Sequence, residues 1–226
     1  MYYMSDPWFL LVIAAVLLGM MASAGVKRTY ERYSRQMAVS GVTGAAMARR
    51  ILDSYGLAHV GIAEVPGSLT DHYDPRSGTL RLSRSVAGSS SVAALGIAAH
   101  EAGHAVQHAM GYGAFRVRSA LVPVANLGSQ LLWPLIIAGF VLQLTNLFLV
   151  GAILYGGALA FHLVTLPVEL DASRRAMSYL SQSGDLSGIE LSGANRVLRA
   201  AAFTYVAAAL VSIAQMLRLV MLSRRR

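Results

Sequence analysis

VAALGIAAHEAGHAVQHAMGY, residues 92–112, is the stretch from which the rest of the chain is best read. Three serines at 89–91 precede it, and a serine can cap a helix N-terminus. Gly111 closes it, as glycine commonly does just past a helix end. The spacing predicts one continuous helix between these signals. On that helix His100 and His104 stand four residues apart, so they project from one face about one turn apart, with Glu101 between them. The surrounding face, Ile97-Ala98-Ala99 and Ala102-Gly103, is small and apolar, and polar side chains set in it need a partner.

Two imidazoles at this spacing can hold one Zn2+, and the glutamate between them can act as general base toward a water activated there. With 6 His and 5 Glu in the chain, the HExxH pattern arises by accident in roughly 0.3% of such chains, so it is treated as a site. His100 and His104 are therefore the expected metal ligands, Glu101 the expected catalytic base, and one Zn2+ per chain the expected cofactor. A catalytic zinc usually takes three protein ligands and one water. His108 is one candidate for the third, but three histidines at i, i+4 and i+8 spread over about 12 Å and drift around the axis, which suits an outer role better. Glu169, in LPVELDASRRA, is the better candidate.

Composition sets the class of protein. Of the 226 residues, 55% are hydrophobic and 13% charged, about half the charge of a soluble domain. The apolar residues are bunched into runs long enough for a bilayer. With no cysteine, thiolate metal sites and disulfides are excluded. The net charge of +8 is read as topology-setting flanks and contact with anionic lipid rather than nucleic-acid binding, because no recognition motif accompanies it. Trp8 to Val26 is uncharged, and its basic cluster (Lys27, Arg28, Arg32, Arg35) follows it instead of preceding it. That order predicts an uncleaved anchor with the N-terminus outside.

Beyond the anchor, TYERYSRQMAVSGVTGAAMARRILDSYGL reads as helical with a break near Ser40–Gly41, and Thr43 is the expected cap of its second part. TLRLS, Thr79 to Ser83, alternates like one exposed strand. The block 121–168 is too long for one crossing and is read as two helices, about 121–143 and 147–167. Two crossings between His104 and Glu169 return Glu169 to the side where His104 started. A last apolar segment, about 200–222, precedes the Arg224–Arg226 tail. The expected division is an anchor at 1–26, a cytoplasmic region with the HExxH helix at 27–118, a transmembrane hairpin at 119–168, a third-ligand helix and cytoplasmic loop at 169–199, and a hydrophobic helix with a basic tail at 200–226. Fifteen of the nineteen basic residues fall in the two loops assigned to the cytoplasm. The tail, which this count of crossings puts outside, runs against that tendency, and the side of the C-terminus stays open.

The segments SLTDHYDPRSGTLRLS, AAHEAGHAVQHAMGY, RSALVPVANLGS and LVTLPVELDASRRA resemble the bacterial membrane-bound neutral zinc metallopeptidases often called YugP-like. The resemblance covers nearly the whole chain; more distantly the chain is similar to the HtpX and CAAX prenyl protease families. It implies a mainly α integral membrane protein of about four hydrophobic helices, with a zincin-like α+β catalytic region containing a small sheet. It also implies a multi-pass protein of the bacterial inner membrane that hydrolyses peptide bonds of protein or peptide substrates at the cytoplasmic face. Mapped onto this chain, it makes His100, His104 and Glu169 the ligands and Glu101 the catalytic residue. The distant relatives carry Glu-x-x-x-Asp at the third ligand, whereas here the aspartate is Asp171 and position 173 is serine. A two-residue offset does not share a helical face, so the outer role of Asp171 is in doubt and a swap with Glu169 is open.

The strand 79–83 is a candidate edge for pairing with extended substrate, and it reads equally well as a plain sheet strand. His72, Tyr73, Arg174 and Tyr205 are candidate oxyanion donors, although each reads more simply as a turn, loop or topology residue. His59 reads as a loop histidine and His162 as a neutral ring bonded to a neighbouring helix, while Gly151 and Gly156-Gly157 read as helix-packing patches. The rival reading is a membrane scaffold or chaperone-like protein with a structural zinc, whose fourth ligand would be His108, Asp171 or His72. A regulatory membrane partner or a homo-oligomer is left open.

Overall fold

The computed structural model describes residues 7–224, so the first six residues, together with Arg225 and Arg226 of the basic tail, lie outside the described residues. Among the described residues, seven helices and three strands run in the order α1 (Pro7–Ser34), α2 (Gly44–Ser54), β1 (Gly61–Val65), β2 (His72–Asp74), β3 (Thr79–Ser83), α3 (Arg84–Ala87), α4 (Val92–Ala109), α5 (Gly113–Val141), α6 (Asn146–Ser183) and α7 (Gly188–Ser223). Four of them, α1, α5, α6 and α7, are long and apolar enough to cross a membrane. The protein is thus a mainly α membrane protein with a small sheet.

The helix signals act where expected. Thr43 caps α2 by accepting from Ala46 N at 3.3 Å, and Ser91 caps α4 by accepting from Ala94 N at 3.2 Å. Gly111, at φ 64°, follows the end of α4 in the left-handed region that glycine occupies without strain. The hydrophobic block splits at residues 142–145. Two expected boundaries are corrected. The helix carrying Glu169 is no separate element, because α6 runs through Pro167 to Ser183 without a break. Nor does the last apolar segment begin a helix of its own: α7 starts at Gly188 and is continuous for 36 residues.

The chain divides into two compact units. One combines Ala24–Gly113 with Val168–Ala202. Its sheet has the order β1-β3-β2, with β1 parallel and β2 antiparallel to β3. The strand 79–83 is therefore central, which corrects the expectation of an exposed edge: β1 and β2 take up both of its sides, and Leu80 and Leu82 are fully buried. The outer strands are β1 and the three-residue β2. The core joins Met47 and Leu52 of α2 to these leucines, to Val92, Leu95 and Val106 of α4, and to Leu180, Ala194 and Leu198. Helix α4 is buried over most of its length because its alanines and glycines let neighbours close in from several directions.

The other unit combines Met1–Ser23, Ala114–Pro167 and Phe203–Arg226. Ala125, Leu132 and Ile136 of α5 pack with Ala152, Tyr155 and Ala158 of α6 and Leu219 of α7. Small residues allow backbones to meet: a side chain at Gly128 would strike the carbonyl of Leu154, and one at Gly157 would strike Val124. His162 lies within 2.8 Å of the Ala158 carbonyl and 3.0 Å of Ser212 Oγ on α7, a bonded ring of the kind expected. Arg218 stacks over the Phe9 ring at 4.6 Å, bringing the end of α7 beside the start of α1.

Backbone cannot rotate out of the way as a side-chain tip can. Gly128→Ala is expected to destabilise the helical unit by about 1–3 kcal/mol, read as a lowered unfolding temperature in detergent. Gly19→Ala, where an added Cβ meets nothing within 4 Å, serves as the control and is expected to leave it unchanged.

Candidate metal centre

Helix α4 presents His100 and His104 side by side, their ring centroids 4.8 Å apart and the planes nearly perpendicular at 83°. Helix α6 brings in Glu169, which is 2% exposed. One oxygen of this carboxylate, Oε2, lies 3.1 Å from His100 Nε2 and 3.5 Å from His104 Nε2. One ligand atom from each of the three residues falls within 4.8 Å of the others. A tetrahedron with bonds of about 2.0–2.1 Å has edges of about 3.3–3.4 Å, and the two glutamate–histidine spacings of 3.1 and 3.5 Å are close to that. Two imidazole nitrogens and a carboxylate oxygen are also a donor set that zinc accepts.

Glycine makes the approach possible. A Cβ at Gly103 would lie 2.9 Å from the carbonyl oxygen of Ala172, a position that also belongs to α6. Without that Cβ, α6 passes close enough to α4 for Glu169 to reach both rings. The small residues between the histidines thus have a packing role alongside the polar pattern they carry.

The rings are held from behind. His100 Nδ1 lies 3.1 Å from Ser173 Oγ. His104 Nδ1 lies 3.0 Å from Gln107 Oε1, and Gln107 Nε2 donates to the Val168 carbonyl at 2.8 Å and to Asp171 Oδ2 at 2.9 Å. Asp171 also accepts from Arg175 Nε at 2.6 Å. Its carboxylate is therefore turned toward Gln107 and Arg175, and Glu169 is the one that meets the histidines. Both outer partners follow from helical spacing. Ser173 is one turn past Glu169 and shares its face, whereas Asp171 sits about 200° away from it around the axis. Sequence reasoning passed over Gln107 and Ser173. The signal for Gln107 was there: it is a polar residue on an apolar helix three positions after His104, and in the structure it is fully buried.

Glu101 is half-buried and makes no hydrogen bond among the described residues. Burial raises its pKa above the ordinary glutamate value; the neighbouring His100 and His104 oppose this, and Glu169 and Asp71 add to it. For His104, burial works against the charged ring, but the hydrogen bond to Glu169 and the charge of Glu101 prevail and raise its pKa.

The remaining candidates are engaged elsewhere. His108 is exposed, with Nδ1 2.9 Å from Tyr73 OH of β2. The exposed His72 places Nδ1 2.8 Å from the Thr70 carbonyl oxygen. Arg174 has 77% of its side chain exposed and stands 3.7 Å from Asp171 Oδ1. His59 is an exposed turn residue.

A helical membrane protein with a two-histidine, one-carboxylate centre on crossing helices is the class that this fold and geometry define. The chain belongs to the family described as "Putative neutral zinc metallopeptidase", whose model matches residues 8–224. It is similar to the "Putative membrane protease YugP" of Bacillus subtilis (strain 168), at 47% identity over 212 residues covering 94% of each chain. No solved structure matches the chain significantly.

Gly103→Ala should force α4 and α6 apart at the point where the centre is assembled. The expected outcome is a lower unfolding temperature, by the equivalent of about 1–3 kcal/mol, together with weaker metal binding in a chelator competition. An alanine variant that matches the parent in both measurements would show that the close approach is not needed.

Proposed function

We propose that this chain is a membrane-embedded zinc metalloendopeptidase that cleaves protein or peptide substrates at the cytoplasmic membrane face. The observation that carries the reading is the meeting of His100, His104 and Glu169 around one point, with Glu101 beside it and without a hydrogen bond among the described residues. His100, His104 and Glu169 would hold the zinc. When bound, the ion supplies Lewis acidity, acidifying water and polarising a peptide carbonyl. Glu101 takes the proton from the attacking water and delivers it to the leaving amine. Burial raises its pKa, which makes the carboxylate a stronger proton acceptor. Hydrogen bonds from Ser173 and Gln107 hold the two rings in register for the metal.

A structural zinc in a scaffold would be closed by four protein ligands. Among the described residues the cluster counts three. The residues that could supply a fourth, His72, His108 and Asp171, are bonded to Thr70, to Tyr73, and to Gln107 with Arg175. This favours the enzyme. The cytoplasmic placement rests on the fifteen of nineteen basic residues within 27–118 and 169–199.

Glu101→Gln is expected to keep zinc at one per chain and to lose about 10²–10⁴-fold in peptide cleavage measured in detergent. Cleavage at the parent rate would remove Glu101 from the mechanism. His104→Ala, with one of three donors deleted, is expected to emerge from purification without zinc. Full occupancy in elemental analysis of that variant would refute the ligand assignment.

A further inference from the structure

We propose that Gln107 is the positioning residue of the centre: its buried amide fixes His104 with the ring proton on Nδ1, keeps Nε2 open for the metal, and ties the ring to the Asp171–Arg175 pair. The metal part of this rests on the zinc reading above, whereas the hydrogen-bond part stands on the geometry alone.

The orientation of the amide is decided by its neighbours. Gln107 Nε2 lies 2.8 Å from the Val168 carbonyl oxygen and 2.9 Å from Asp171 Oδ2. Both neighbours are acceptors, so the group facing them is the NH2; an amide oxygen there would confront two other oxygens. The opposite end, Oε1, is then the atom 3.0 Å from His104 Nδ1. A carbonyl oxygen can only accept, and the proton of this contact must come from Nδ1. In the neutral ring that keeps this contact, Nε2 carries the lone pair; Nε2 lies 3.5 Å from Glu169 Oε2, a carboxylate that competes for the ring proton and that the Gln107 contact must outweigh. The three Gln107 contacts thus favour the tautomer that a metal ligand needs, against the pull of Glu169 on the other nitrogen.

The relay also explains how a misplaced carboxylate is used. Asp171 follows Glu169 by two positions, and about 200° of helix rotation keeps it off the face that meets the histidines. Gln107 spans the gap. Asp171 polarises the amide, the amide oxygen accepts from His104, and Arg175, four residues on from Asp171, holds the carboxylate at 2.6 Å. Gln107 is fully buried. Removing it would strand an imidazole N–H and one side of a carboxylate away from water. His100 has a looser arrangement. Its Nδ1 meets Ser173 Oγ, and a hydroxyl can donate or accept, so it imposes neither tautomer.

The test uses the full-length protein in detergent, labelled with 15N-histidine, with the His104 signals assigned by their loss in His104→Ala. In metal-free protein in mildly alkaline buffer, His104 is expected in the Nδ1–H form, and an Nε2–H ring would overturn the proposal by itself. Gln107→Leu is expected to lose that tautomer preference and to weaken zinc binding roughly 10–100-fold in chelator competition. Parent-like affinity and tautomer in that variant would overturn the proposal too. Asp171→Asn keeps an acceptor for the Gln107 amide while removing the charge, so it should preserve the tautomer and weaken zinc by a smaller factor than Gln107→Leu. Should Gln107→Leu not fold, the parent tautomer and the Asp171→Asn affinity decide, and an unchanged affinity in Asp171→Asn counts against the relay. Parent protein with the Nδ1–H ring that takes up no zinc would overturn the zinc reading and leave the hydrogen-bond relay standing.

Discussion

The close passage of α6 against α4 is the constraint from which the centre follows. Two histidines one turn apart come from a single helix, but a third donor must arrive from 65 positions later in the chain, and it must arrive within a few tenths of an ångström. Gly103 permits this by leaving room for the Ala172 carbonyl where a Cβ would stand. Helix α6 can then lay Glu169 against both rings, Ser173 behind His100, and the Val168 carbonyl and Asp171 against Gln107. All of these contacts depend on one depth of approach.

Burial of so many polar groups is tolerable because each is answered. An unpaired polar group away from water costs about 1–3 kcal/mol, and an unpaired charge more. Glu169 faces two imidazoles, Gln107 makes three hydrogen bonds, and Asp171 is met by Arg175. Glu101 is the exception, a half-buried carboxylate with no hydrogen bond among the described residues. For the proton-carrying role proposed for Glu101, the lack of a fixed partner is an advantage, and its pKa, raised chiefly by burial, is the electrostatic mark of that position.

In the apolar unit, association rests on shape. Lipid tails are as apolar as leucine, so helices there gain little from hiding hydrocarbon and more from close backbone contact. Gly128 against Leu154 and Gly157 against Val124 supply that contact. The bonds among Tyr155, Ser212 and His162 satisfy polar side chains that have no water to turn to.

Much is legible in the sequence alone. The apolar runs, the caps at Thr43 and Ser91, the turn after Val141 and the face shared by His100 and His104 are local properties, set by residue type and by the 3.6-residue period, and local physics decides them. The continuity of α6 past Pro167 and of α7 from Gly188 was not, because polar composition marks where a helix leaves lipid, not where it ends. The central place of 79–83 in the sheet was hidden too, since alternation reports that a strand has two faces and is silent about how many neighbours it has. Composition and periodicity alone established a helical membrane protein with a two-histidine site. Only the folded chain decided that Glu169, rather than Asp171, completes the cluster, and that Gln107 bridges Asp171 and His104. Those outcomes depend on the angle and depth at which two helices distant in sequence meet, and no window along the chain contains that information.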